Sequence, residues 1–301
     1  MAGSTGHIVQ SLVVNLVIAL AKGVAAVITG SGAMLAETIH SFADCGNQGL
    51  LLFGVKQAQR QPDPMHPLGY GRALYFWSFM VAMLLFTGGG MFSIYEGIHK
   101  IRHPEAVEDI TIGVVVLALA LGLEGWATFG NVRELNKRRS GRPFVRFLRE
   151  TKDSDLVVVF GENAAAVVGL VLALAALVLT KTTHDGRWDG AGSLGVGIIL
   201  VFVAIFLAKE IMSLLLGESA DPAIAAAAHR IAAADPNIVA VLRVLTIQQG
   251  PGEVVVAMKV KMKPGLTTGG EVCRALNAYE AKLQAEVPEV KWSFVEPDLD
   301  D

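Results

Sequence analysis

MLAETIHSFADCGNQGLLLFGV, residues 34–55, is an apolar run that carries Glu37, His40, Asp44 and Asn47 within it. A hydrocarbon core of about 30 Å needs roughly 20 helical residues, so the run is long enough to cross a bilayer. Steps of three, four and three place its four polar residues along one face of a single helix. Ionisable groups in a span cost roughly 2.5–3.5 kcal/mol each on insertion scales, so each needs a partner or a role. His40 and Asp44, one turn and roughly 6 Å of rise apart, offer an imidazole nitrogen and a carboxylate oxygen to one ion. Divalent zinc and its neighbours accept that pair. Glu162 and Asn163 are the comparable polar pair further along the chain, and they complete a tetrahedral site if the two helices pack together. A hydrogen-bonded cluster that only fixes helix packing is the structural alternative.

Working outward, five more apolar stretches reach spanning length: about 8–28, 73–98, 110–129, 156–179 and 194–216. The chain of 301 residues is 52% apolar and 18% charged, with mean hydropathy +0.50, too apolar for an ordinary soluble protein. Residues 1–217 are therefore expected to form a six-helix transmembrane domain. Met1 to Gly6 lack a basic leader, so the first stretch is expected to be a retained span. Lys56, Arg60 and Arg72 lie between spans two and three, and eight basic residues from Arg133 to Lys152 between four and five. Lys100 and Arg102, and Lys181 and Arg187, are all that the opposite connections hold. Positive-inside bias thus predicts cytoplasmic N- and C-termini, compatible with a bacterial inner membrane. Gly88, Gly89 and Gly90 in span three are expected to permit close helix packing.

Residues 218–301 alternate apolar and charged residues like a soluble domain. They read as helix 222–234, strand 238–248, a turn at Gly250-Pro251-Gly252, strand 253–263, helix 270–285 and strand 290–296. This αββαβ order suits a small α+β, ferredoxin-like cytosolic domain with both helices on one sheet face. Its modest core makes pairing with a second copy a natural source of stability. A net charge of −3 and the lack of a basic stripe exclude nucleic acid as the main partner. Cys45 and Cys273 make no disulfide framework.

The segment Ala36 to Asp44, AETIHSFAD after Ser31-Gly32, resembles the second-helix signature of the cation diffusion facilitators. Asn15 and Lys22 in span one, His66 to Arg72 (HPLGYGR), Ser93 to Gly97 (SIYEG) and Leu214 to Glu218 (LLLGE) are similar to that family along nearly the whole chain. The resemblance implies a homodimeric exporter, without enzyme activity, that moves a divalent cation, often zinc, out of the cytoplasm in exchange for protons. Its intramembrane site is shared by helices two and five. Most members carry His-x-x-x-Asp in span five, where alignment on Gly169 puts Val159 and Asn163 here. Glu162 to Ala166 (ENAAA) and Asn47-Gln48-Gly49 resemble the zinc transporter 9-like branch. Further ligands are then Asn163 through its amide oxygen, or Glu162 after a helix rotation of about 100°. The favoured set is His40, Asp44 and Asn163, with Glu162 as ligand or proton carrier. An oxygen-richer site would admit manganese, cobalt or iron beside zinc.

Asp63 and His66 match positions that hold a surface metal in some members of the family, although Tyr70 stands where a further His is expected. His229, the only histidine of the soluble end, reads as a solvated helix residue. His7, His99, His103 and His184 read as interfacial. Glu124 is expected to pair with Lys22 or relay protons, Arg72 to pair with Glu210 or Glu218, and Asp189 and Ser193 to cap span six. The rival reading is a membrane sensor or scaffold that transports nothing and acts through its cytosolic domain. An intramembrane metalloenzyme lacks the His-Glu-x-x-His arrangement.

Overall fold

The computed structural model describes residues 2–30, 32–104, 110–139, 141–152, 154–266 and 268–300. Its long helices are α1 (Ala2–Thr29), α2 (Gly32–Ala58), a third built from α3 (Arg72–Leu84), a π-helical segment (Leu85–Met91) and α4 (Phe92–Arg102), α5 (Ile110–Arg138), α7 (Ser154–Thr183) and α8 (Arg187–Leu216). A short α6 (Phe144–Glu150), absent from the sequence expectation, lies in the basic connection before α7. The stretches 72–102, 113–138, 156–183 and 187–216 are long and apolar enough to cross a membrane on those grounds alone, and α1 holds a shorter apolar stretch, Asn15–Thr29. In α2 the polar face that carries the candidate ligands dilutes the hydropathy.

By internal contacts the chain forms two units, residues 1–56, 76–149 and 154–211, and residues 57–75, 150–153 and 212–301. Within the first, α1, α5 and α7 share a core of Ile18, Ala25, Leu117, Ala120, Leu170, Ala173 and Leu177, joined by Met34 of α2. The third helix meets α8 main chain to main chain. A Cβ placed on Gly97 would fall 2.5 Å from the Leu194 nitrogen, and one on Gly197 would fall 2.7 Å from the Ile94 nitrogen. Only glycine lets two helix backbones approach this closely. Of the Gly88 to Gly90 run, Gly90 belongs to this seam, 2.7 Å from a Val201 methyl by the same measure, while Gly88 has no atom within 4 Å.

At one end of the bundle, Lys100 of α4 donates to the Gly30 carbonyl at 2.7 Å and lies 3.7 Å from the Asp189 carboxylate. This corrects the expected cap of span six. Asp189 lies inside the first turn of α8, and Ser193 donates back to its carbonyl at 3.3 Å. It is the Asp185 side chain that accepts from the Arg187 amide, at 2.9 Å.

The second unit contains α9 (Pro222–Ala233), β1 (Ile238–Gly250), β2 (Glu253–Met262), α10 (Gly269–Glu286) and β3 (Val290–Pro297), in the expected order. The sheet order is β1-β2-β3, with β1 antiparallel to β2 and β3 parallel to it across α10. Asp221 caps α9 through the Ala223 amide, and Thr268 and Glu271 form a capping box on α10. Alternate residues Val254, Val256, Met258 and Val260 of β2 face α9 and α10, packing on Ile224, Ala228, Leu276, Tyr279 and Leu283. Both helices cover one face. The Tyr279 hydroxyl donates to the Ala228 carbonyl at 2.8 Å.

The three chain segments of this unit touch at several points. The Gln249 amide donates to the Leu68 carbonyl at 3.4 Å, Gly71 meets Gly250 backbone to backbone, and Lys152 pairs with Glu218. Arg72, expected to pair with Glu210 or Glu218, has its guanidinium beside Gly217.

Candidate metal centre

On α2, the three-four-three spacing aligns polar side chains, and tertiary packing buries them. His40 and Asn47 are fully buried, and Asp44 is 5% exposed. His40 Nε2 lies 3.6 Å from Asp44 Oδ2, the i,i+4 neighbour. Neither ring nitrogen of His40 makes a hydrogen bond among the described residues, and neither does Asn47 Oδ1. A buried polar atom left unpaired costs roughly 1–3 kcal/mol, so a group of them marks a site completed by something else.

α7 reaches this face through Glu162, 3% exposed, whose Oε1 accepts from Asn47 Nδ2 at 2.6 Å. Asn163, one residue on, is partly exposed, and its carbonyl accepts from the Thr128 hydroxyl of α5 at 3.4 Å. Of the adjacent pair, Glu162 is thus the one whose side chain meets α2. The polar spacing singled out Asn47, but its bond to Glu162 depends on the rotational setting of α7, which no local pattern reveals. No group of three or more His, Cys, Asp or Glu side chains stands close enough to share an ion among the described residues. An ion taken by His40 and Asp44 could gain Glu162 through its second carboxylate oxygen, or through Oε1 once the Asn47 amide is given up. Lys22, fully buried on α1, donates to Ser41 of α2 at 2.9 Å. Ser31, the side chain of Glu37 and that of His7 lie outside the described residues.

In the loop before α3, Asp63 is the hub of a turn. Its Oδ1 accepts from the Met65 and His66 amides at 2.9 and 2.8 Å, and its Oδ2 from the Tyr70 hydroxyl at 2.6 Å. The Tyr70 hydroxyl and the His66 amide hold the Asp63 carboxyl below its ordinary value, and Asp63 in turn raises Tyr70. His66 Nδ1 is 3.4 Å from Asp63 Oδ1, and its ring lies 4.2 Å from that of Tyr70. Metal at Asp63 and His66 would have to displace these bonds. His229 is exposed on α9, as expected.

Unpaired nitrogen and oxygen atoms thus lie buried among long apolar helices of the kind that cross a membrane. The sequence profile described as Cation efflux transmembrane domain matches residues 8–216, and the chain belongs to this family, one of transporters and not of enzymes. It is 34% identical over 235 residues to the human mitochondrial proton-coupled zinc antiporter SLC30A9, covering 77% of this chain and 41% of that one. It is 31% identical to metal tolerance protein C4 of Arabidopsis thaliana over 64% of this chain and 43% of that one. It is 23% identical to the magnetosome protein MamB of a Magnetospira species, over 70% and 67% of the two chains. The chain thus spans about two fifths of the length of the first two relatives. These likenesses identify it with the zinc transporter 9-like branch read from Glu162 to Ala166.

Proposed function

We propose that this protein exports a divalent transition-metal ion, zinc foremost, from the cytoplasm in exchange for protons. Manganese, cobalt and iron are the other ions that its oxygen donors admit. The observation that carries this reading is the fully buried His40, with both ring nitrogens unsatisfied, beside Asp44. The transported ion takes His40 and Asp44 from α2 and an oxygen from α7, supplied by Glu162 or Asn163. Binding needs neutral imidazole and ionised carboxylate, so protons and metal compete for the same atoms, and that competition couples their movements. When the ion leaves, Asn47 reclaims Glu162 and keeps the carboxylate paired in a dry site. The name of the human relative, a proton-coupled zinc antiporter, supports this coupling, and the excess of basic residues in two connections supports cytoplasmic termini. The working unit is a homodimer, for which the small core of the soluble domain gives a reason. Asp63 and His66 form a weaker second metal position.

Zinc, manganese, cobalt and iron uptake into proteoliposomes under an imposed pH gradient tests the reading. Wild-type flux driven by the gradient and lost in Asp44→Ala is the expected result. Flux indifferent to the gradient would refute proton coupling while sparing metal transport. No flux of any ion from folded protein would leave the non-transporting sensor or scaffold.

A further inference from the structure

Outside the centre on α2, the end of α4 and its C-cap residue His103 carry an aromatic ladder. Its buried stripe is Ser93, Gly97 and Lys100, and Gly97 is held against Gly190 of α8. Tyr95, His99 and His103 recur on the other side at steps of four and are exposed. The rings of Tyr95 and His99 are stacked with centroids 6.3 Å apart, and those of His99 and His103 are 5.2 Å apart. Histidines four apart on a helix form a common chelating unit, since both imidazoles overhang the same turn. Two imidazoles bound to one ion at about 2.0–2.1 Å and near the tetrahedral angle place their ring centroids roughly 5.2 Å apart, the separation found here. Lys100 and Arg102 lie between them in sequence; the Lys100 ammonium is turned inward onto the Gly30 carbonyl, which leaves the exposed Arg102 as the cation a metal at the pair must tolerate.

We infer that His99 and His103 form a two-histidine site for a first-row transition dication, on the side of the membrane expected to face away from the cytoplasm. The site takes zinc, nickel or copper(II), which favour imidazole, and refuses magnesium and calcium, which favour oxygen. Water completes the coordination, since the pair is exposed. The site is separate from the Asp44 centre, and its occupancy does not depend on transport.

The test is nickel titration of the full chain in detergent by calorimetry, in an Asp44→Ala, His66→Ala background that disables both other candidate positions. One equivalent of Ni2+ is expected, weakened about tenfold or more by His99→Ala and equally by His103→Ala, because each leaves a single ligand. His184→Ala and His229→Ala should leave it unchanged, as should excess Mg2+. Copper(II) spectra of the background give a second reading, in which nitrogen couplings from two imidazoles are expected to fall to one in either variant. Nickel binding indifferent to both substitutions, or no nickel bound by the background, overturns the site.

Discussion

Gly197→Ala probes the backbone contact between α8 and the third helix. Its new methyl would sit 2.7 Å from the Ile94 nitrogen and 2.8 Å from the Gly90 carbonyl oxygen, whereas ordinary contact begins at 3.4 Å. α8 and the third helix must therefore separate locally by about 0.7 Å, because main-chain atoms cannot swing aside as a side chain does. Overpacking of this kind costs about 1–3 kcal/mol. A methyl against unyielding main-chain atoms belongs in the upper half of that range, and alanine recovers about 1 kcal/mol through its better helix propensity, so the net loss is about 1–2 kcal/mol. At about 2–4 °C per kcal/mol, thermal unfolding of the full chain in detergent should shift down by about 2–8 °C. Gly88→Ala is the matched control, since no atom lies within 4 Å of its Cβ position, and it should hold or slightly raise the midpoint. A Gly197→Ala protein as stable as wild type, or a Gly88→Ala protein equally weakened, would refute the backbone seam.

Lys100→Met should cost about 3 kcal/mol or more by depriving Asp189 of its buried ammonium, and adding Asp189→Asn should recover part of that loss in the same unfolding assay. Equal stability of the single and double variants would mean that the two charges are not coupled. Burial pushes the Tyr279 hydroxyl up to about 12, so the fold favours its neutral form. That contribution is complete below the ordinary value of about 10 and is lost as pH rises through about 12; Tyr279→Phe should flatten the fall in stability above pH 10 and cost about 1 kcal/mol at pH 8. An unchanged slope in the variant would assign the alkaline loss to other groups. In zinc flux, Glu162→Gln should reduce transport more than Asn163→Ala does, because Glu162 is the residue bonded to the polar face of α2. The reverse order would make the Asn163 amide the ligand.

The helices were legible because uninterrupted apolar runs leave few alternatives, and the soluble domain because strand alternation and the turn at Gly252, with φ of 68°, are local signals. The face of α2 was legible for the same reason, being a spacing within one helix. The residue that meets it was not, since Glu162 and Asn163 differ by about 100° around α7 and only packing chooses between them. Asp189 and Ser193 misled because short polar residues beside an apolar run resemble a cap. Asp189 faces a buried lysine instead, a distant partner. His99 and His103 were visible in sequence only as two edge histidines; their ring separation is a property of the folded chain.

The glycines of the third helix and of α8 recur at the same interval, Gly90 and Gly97 on one and Gly190 and Gly197 on the other. With backbone against backbone at Gly97 and Gly197, side-chain repacking alone gives the two helices little room to slip past each other. They form a rail, stiff along its length. Under the proposed transport cycle, movement at His40 and Asp44 is then expected of α2 and α7, which meet through the side-chain bond between Asn47 and Glu162, and not of the rail.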